Sequence, residues 1–295
     1  MSDQYPDEFA FIQYHTNFPD INDPFYLFNS QEVNARRTFY TNGYVPQFYV
    51  DAYDAGSGYQ NWENILLVRY NQPSDWEIMT DGSYNETTRE AFLNIDVFLY
   101  GDDPDGVEYL RIALVENDIY YPGSNGTDYH QQTFRDMIPD VTGQVIEVDD
   151  TGIWEGSVQF TVDEVIAEQN CEIVVFIQSS VQKEVLQGYK MPFDDLGPVS
   201  VDDDEPRPQS FRLLGNYPNP FNSSTNIRYI LDENADVRID VFNIRGEYVA
   251  TPVNEFQQKG LHSARWDASS IPSGIYFYTL KAGMNSATKR MTLVK

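Results

Sequence analysis

The chain has 295 residues, 41% hydrophobic and 15% aromatic, which is enough for two or three packed modules and too apolar for a disordered polymer. Its 46 acidic against 19 basic side chains give a formal charge of -27, which repels phosphate backbones and anionic lipid surfaces and excludes nucleic acid as an expected partner. A single cysteine, Cys171, excludes an intrachain disulfide, a thiolate metal cluster and a paired-cysteine redox site.

The run FAFIQYH, Phe9 to His15, is apolar and of strand length and predicts a buried strand. Asn29 then reads as an N-cap, with Glu32 three residues on and Gly43 as the stop of a first helix. YVPQFYVDA is the next strand, carrying Pro46 near its beginning, where proline fits an edge, a strand start or a cis bend. A second helix runs from about Asn61 to Tyr70, with Trp62, Ile65, Leu66 and Val68 on its apolar side and Pro73 beyond its end. The order is strand, helix, strand, helix, and these elements define a first module at residues 1–73.

From Asp75 the period changes to two. AFLNIDVFLY at 91–100 and VEYLRIALVE at 107–116 flank DDPDG and predict a hairpin. Further strands are expected near Trp76 and at 143–148, 155–163, 171–178 and 183–189. Seven short runs with turn signals predict an immunoglobulin-like β-sandwich at residues 74–196. Cys171, in NCEIVVFIQ, reads as a buried strand thiol.

Residues 197–210, GPVSVDDDEPRPQS, hold three prolines and four consecutive acids and read as a linker. Residues 209–295 hold ten Lys or Arg and seven Asp or Glu, leaving nine and thirty-nine for the part before. A net charge of +3 against -30 marks two modules with different neighbours to satisfy. Beyond the linker, NIRYIL, DVRIDVFN, YVATPV, HSARWDAS, GIYFYTLKAG and ATKRMTLVK alternate and predict a second sandwich. In it, Val237, Ile239 and Val241 share the buried face. The expected fold class is therefore mainly β and multidomain.

The C-terminal run LLGNYPNPFNSSTNIRYIL, VFNIRGEYVA, WDASSIPSGIYFYTLKAG and KRMTLVK closely resembles the type A C-terminal sorting domain of the type IX secretion system, over residues 211–295. The resemblance implies export across the outer membrane, the type IX secretion machinery as a partner, and processing in the linker. FIQYH, ARRTFY with GYVPQFYVDA, VEYLRIALVEND, YHQQTFRDMIPDVTG and IVVFIQSSVQKEVLQ resemble the 28-kilodalton outer membrane protein family over residues 9–193. That resemblance implies a thioredoxin-like domain ahead of a β-sandwich. Here the CxxC segment has no counterpart, so the first module is a partial thioredoxin-like α/β segment or the sequence starts inside one. Pro46 matches the position of the family's cis-proline, and Val45 would present its backbone to an extended peptide; without thiols opposite, a structural role is expected.

Glu116, Asp118, His130, Arg135 and Asp136 lie on the connection after the expected hairpin and form a candidate polar cluster. With one strong nitrogen donor, it reads as an Arg–carboxylate network holding a long loop rather than a metal site. His15 and His262 sit in other modules. DDPDG and VDDDE read as solvated turn and linker acids rather than calcium loops. The triplets at Asn85, Asn125 and Asn222 match a glycosylation pattern of little weight in a bacterial setting.

No spacing for a catalytic triad, a nucleophile elbow, a phosphate loop or HExxH occurs, so no cofactor, metal or catalytic residue is assigned. No run of eighteen apolar residues predicts a membrane-spanning helix. MSDQYPDEF lacks the character of a signal peptide, so the protein is cytosolic or its start is missing. The leading expectation is a non-enzymatic secreted or cell-surface protein, binding or adhesive, with an unknown surface or extracellular ligand. One alternative is a thiol-disulfide oxidoreductase whose redox segment lies outside this sequence. Another is a carbohydrate- or peptide-binding module with Tyr120, Tyr121 and Tyr129 as its platform.

Overall fold

A computed structural model of the chain describes residues 9–40, 45–101, 106–123, 126–149, 152–198, 211–283 and 285–295. They divide into two compact units, Met1–Val199 and Ser200–Lys295.

The first unit opens with helices α1, Pro24–Phe28, and α2, Ser30–Phe39. The Asp23 carboxylate accepts from the Phe25 and Tyr26 amides, and Asn29 caps α2 by accepting from the Glu32 amide. Gly43, the expected stop, lies outside the described residues. Strands β1, Phe48–Val50, and β2, Tyr53–Gly56, pair through a tight turn at Asp51 and Ala52, both at positive φ. Helix α3, Trp62–Tyr70, follows as expected. FAFIQYH is not a strand: a single parallel bridge joins Gln13 to Thr133, while Tyr14 packs on Phe134 at 4.7 Å between ring centroids. Two backbone hydrogen bonds at Gln13 and the aromatic packing of Tyr14, rather than an extended ladder, hold this run.

The sandwich of this unit comprises β3 (Trp76–Asn85), β4 (Glu90–Leu99), β5 (Glu108–Glu116), β6 (Ile119–Tyr120), β7 (Tyr129–His130), β8 (Thr133–Ile138), β9 (Gln144–Ile146), β10 (Ile153–Thr161), β11 (Cys171–Ser179), β12 (Val185–Pro192) and β13 (Gly197–Pro198). One sheet runs β10-β4-β3-β13 and the other β12-β11-β5-β8, with β9 also on β5. The expected hairpin of 91–100 with 107–116 is therefore a crossing between sheets. Leu93, Ile95 and Val97 of β4 face the same core as Leu110, Ile112 and Leu114 of β5, so the alternation that suggested pairing instead supplies the two sides of a sandwich. The hairpin is β3 with β4, closed where the Asn85 side chain accepts from the Thr87 and Thr88 amides and Arg89 takes positive φ.

Strand β8 lies within the stretch expected to be a long loop. Its Arg135 is only 6% exposed, and a buried arginine hides a strand from a hydrophobic pattern. The second sheet is covered on both faces. Ala113, Val115, Phe134, Met137, Val174 and Phe176 form a second core beneath Val33 of α2, so residue 73 is no boundary between compact units. At the other end, Gly197 and Pro198 pair in parallel with Ser83 and Tyr84, so the first unit claims the start of the expected linker. Gly82 leaves room on both sides, because a Cβ there would stand 2.2 Å from the Phe92 carbonyl oxygen of β4 and 2.8 Å from Leu196 Cδ2, just before β13.

The second unit comprises β14 (Phe211–Tyr217), β15 (Ser224–Leu231), β16 (Ala235–Asn243), β17 (Tyr248–Gln257), β18 (Gly260–Asp267), β19 (Gly274–Ala282) and β20 (Asn285–Leu293). Its sheets run β14-β15-β18 and β17-β16-β19-β20. With the short strands of the first unit set aside, both sandwiches have one connectivity: strands one, two and five form one sheet, and four, three, six and seven the other. This is the immunoglobulin-like pattern with the fourth strand beside the third rather than beside the fifth. Val237, Ile239 and Val241 are buried as expected.

The NYPNPFN turn is stitched to the last strand. Asn219 accepts from the Thr292 amide, Phe221 donates to the Thr292 carbonyl, and the Val294 amide donates to the Phe221 carbonyl. Asn216 donates to Thr225 Oγ1, which donates in turn to the Pro218 carbonyl. The Phe221 ring, 1% exposed, lies 5.7 Å from Trp266.

Phe221→Ala is expected to destabilise the second unit by about 3–5 kcal/mol, read as a lower denaturant midpoint for that unit; an unchanged midpoint would refute this role. Cys171 sits in the first sandwich core and burial pushes its thiol up to about 12. A thiol reagent is therefore expected to label it only in denaturant, and rapid labelling of native protein would contradict that.

Candidate functional site

Strand β8 runs beside β5, which places Glu116 opposite Thr133 and brings Arg135 to Glu116. Arg135 Nε stands 2.7 Å from Glu116 Oε2, both side chains are nearly buried, and the guanidinium lies 4.3 Å from the Phe28 ring centroid. The contact is a close charge pair without good hydrogen-bond alignment. The other Glu116 oxygen accepts from the Ala167 amide at 3.1 Å.

Asp136 takes part in a different group. The Asn29 amide donates to Glu32 Oε2 at 2.6 Å, to the Arg135 carbonyl at 3.1 Å and to Asp136 Oδ1 at 3.4 Å. Glu32 Oε2 also accepts from the Met137 amide at 2.9 Å. Helix α2 is thereby tied by its first turn to β8. Burial, then the neighbouring Glu32 charge and their shared hydrogen bond, push the Asp136 carboxyl up to about 7. The pair holds a proton at near-neutral pH.

His15 was expected in another module, yet it lies beside His130, with 5.4 Å between ring centroids, and both rings pack on Phe25. His15 Nδ1 meets Asp23 Oδ2 at 3.0 Å, while its Nε2 is buried without a partner. Burial lowers the His15 pKa, opposed by Asp23. His130 Nε2 contacts the Tyr121 carbonyl at 3.0 Å. Asp118, at positive φ, pairs with the Gln131 amide at 2.8 Å. His262 belongs to the second unit, where it stacks on Tyr229 at 5.5 Å.

The five cluster residues thus divide among separate networks. No group of three or more His, Cys, Asp or Glu among the described residues is placed to hold a metal ion. Asn29 and Glu32, read from the sequence only as a helix cap, are the residues that join helix to sheet. The Val45–Pro46 bond is cis, with Val45 half-buried and Pro46 exposed. Asn85 is occupied by its turn; Asn125, the acids of DDPDG and VDDDE lie outside the described residues. Tyr120 and Tyr129 pair across β6 and β7 with ring centroids 5.3 Å apart, 63% and 60% exposed, while Tyr121 packs on Phe25.

Residues 216–294 match the family model of the secretion system C-terminal sorting domain, within the sandwich that starts at Phe211. The tail is a type IX sorting domain. The chain is accordingly a secreted or cell-surface protein, and the type IX secretion machinery is a partner of its tail. Among solved structures, HBP35 of Porphyromonas gingivalis is similar over 92% of this chain and 82% of its own, at 14% identity and a TM-score of 0.54. A domain of the outer membrane lipoprotein Omp28 from the same organism is similar over 44% and 93%, at 11% identity and a TM-score of 0.31. PorZ, a surface component of its type IX secretion system, is similar over 70% and 37%, at 12% identity and a TM-score of 0.22. The likeness to HBP35 shows the fold, a mainly β multidomain chain. No curated protein matches the sequence. In the sorting domain the signature residues Asn216, Asn219 and Phe221 close the sandwich on itself. No helix among the described residues is long and apolar enough to cross a membrane.

The native protein binds the Asp136 proton more tightly than an unfolded chain does, so this group makes stability fall as pH rises from about 4 to about 7. Asp136→Asn, whose amide can donate to Glu32, is expected to flatten that slope. It should also stabilise the protein at pH 8 by about 1–2 kcal/mol after solvent screening. Denaturant titrations across this range measure it; an unaltered slope would exclude the shared proton.

Proposed function

We propose that the protein is a non-enzymatic binding or adhesion protein, delivered outside the cell by its sorting domain, with the first unit as its binding part. The observation that carries this reading is the exposed Tyr120–Tyr129 pair on a two-stranded hairpin. Two phenol rings left mostly in water, each with a polar tip, suit stacking on a sugar ring or an extended peptide at little loss of conformational freedom. The acid and base groups nearby support a binding role as well. Glu116 is matched to Arg135, Asp136 to Glu32 and Asn29, and His130 to the Tyr121 backbone. Each is engaged in holding the fold. A thiol–disulfide activity draws no support from Cys171, which lies inside the sandwich core.

Two measurements test this. A tagged full-length protein in a host with type IX secretion is expected outside the cell, and the same protein lacking residues 211–295 is expected to be retained; equal export of both would end the delivery reading. On a glycan and peptide array, wild type is expected to give a reproducible set of ligands, with Tyr120→Ala/Tyr129→Ala at least tenfold weaker. A silent array would remove the platform and leave the delivery reading intact.

A further inference from the structure

The N-terminal run that straps β8 has only a slight backbone attachment. The Gln13 amide donates to the Gln132 carbonyl at 2.8 Å, and its carbonyl accepts from the Phe134 amide at 3.0 Å. Two residues on, the His15 ring lies 5.4 Å from that of His130 on β7, and both rest on the Phe25 ring, at 4.6 and 4.7 Å. Tyr121 packs on the same ring at 5.6 Å, and its carbonyl meets His130 Nε2. The strap, the start of α1 and the β6–β7 hairpin thus converge on one small group of rings.

A carboxylate only accepts, so His15 Nδ1, 3.0 Å from Asp23 Oδ2, carries the ring's hydrogen at neutral pH. The other Asp23 oxygen accepts from the Phe25 and Tyr26 amides. His15 Nε2 is then a bare lone pair, buried and without a partner. Proton uptake turns it into a buried donor without an acceptor and places a positive charge beside His130 on β7 and Arg135 on β8, the latter itself paired with Glu116. Burial opposes that charge most, His130 and Arg135 oppose it further, and Asp23 favours it; the net effect lowers the His15 pKa. A released strap carries an ordinary histidine, so the closed strap loses stability as pH falls below 6.5. Asp136 acts in the opposite sense, since it takes up its proton in the native protein and favours the fold on acidification.

We propose that His15 and His130 form an acid-released latch: proton uptake by His15 beside His130 frees the strap from Gln13 to Asp23 from β8. Release gives up the two backbone hydrogen bonds at Gln13 and the packing of Tyr14 on Phe134, and it removes His15 from the hairpin that carries Tyr120 and Tyr129. The device lies in the strap and does not depend on what the tyrosine pair binds.

The test is amide hydrogen exchange in the full-length protein at about pH 7.5 and about pH 5, each rate taken against intrinsic exchange at that pH, with the His15 ring titrated by NMR. Protection of the Gln13 and Phe134 amides is expected to fall at least threefold in acid, with the midpoint of the His15 ring titration, while the Leu93 and Val175 amides of the sandwich core keep theirs. In His15→Asn, whose amide can still donate to Asp23 but cannot take up the proton, that acid dependence should vanish. Unchanged wild-type protection, a loss that does not follow the His15 titration, or the same acid dependence in a folded His15→Asn would each overturn the proposal. If the variant does not fold, the wild-type midpoints decide the matter.

Discussion

The double burial of the second sheet in the first unit is the constraint on which the rest of that unit depends. Strands β5 and β11 carry apolar side chains on both faces, and the face away from the sandwich core would lie bare without α2. Covering it removes apolar surface from water and sets the helix against β8. That contact requires polar fasteners at its edge, because helix and sheet backbones both present groups there. Asn29, Glu32 and Asp136 supply them at one end, and the Arg36–Gln178 and Lys183–Phe39 links at the other. Asp136 lies beside Glu32, and Arg36 near Arg111, for the same reason. Charged residues at a buried seam have few neighbours, and those they have are often alike.

Much of this architecture was legible in the sequence, and the failures have specific physical causes. The cap at Asn29 and the stop after Tyr70 follow local rules that tertiary packing did not override, whereas the five-residue helix α1 capped by Asp23 was too short to show a period. The period-two runs identified strands but not their partners. An alternating strand pairs equally well across a tight turn or across a sandwich, and the acidic turn DDPDG favoured the wrong one of these. Strand β8 was invisible because Arg135 and Asp136 are polar residues whose partners, Glu116 and Glu32, lie far off in the sequence. His15 was placed apart from His130 because nothing local announces that an N-terminal run will strap β8.

The candidate site was less legible than the fold. Sequence proximity grouped Glu116, Asp118, His130, Arg135 and Asp136, whereas the structure divides them among separate networks. The pairing of β8 with β5 shifts register at Arg135, which has no opposite residue on β5, and the adjacent charges of Arg135 and Asp136 serve different partners. The two arginines of the helix–sheet seam were in plain view, one in ARRTFY and one in VEYLRIALVE, but no spacing rule joins residues from a helix and a strand so far apart. The sorting domain was read most fully, because its signature serves its own closure: Asn216 and Asn219 of NYPNPFN both have partners inside the same small sandwich.

That closure has a consequence for the order of events in synthesis. The turn after β14 is fastened to Thr292 and Val294, so this turn finds its final partners only when residue 294 has been joined to the growing polypeptide. A chain released early lacks a finished tail, however well its first unit has folded. The sandwich therefore closes late: its first turn waits for its last strand.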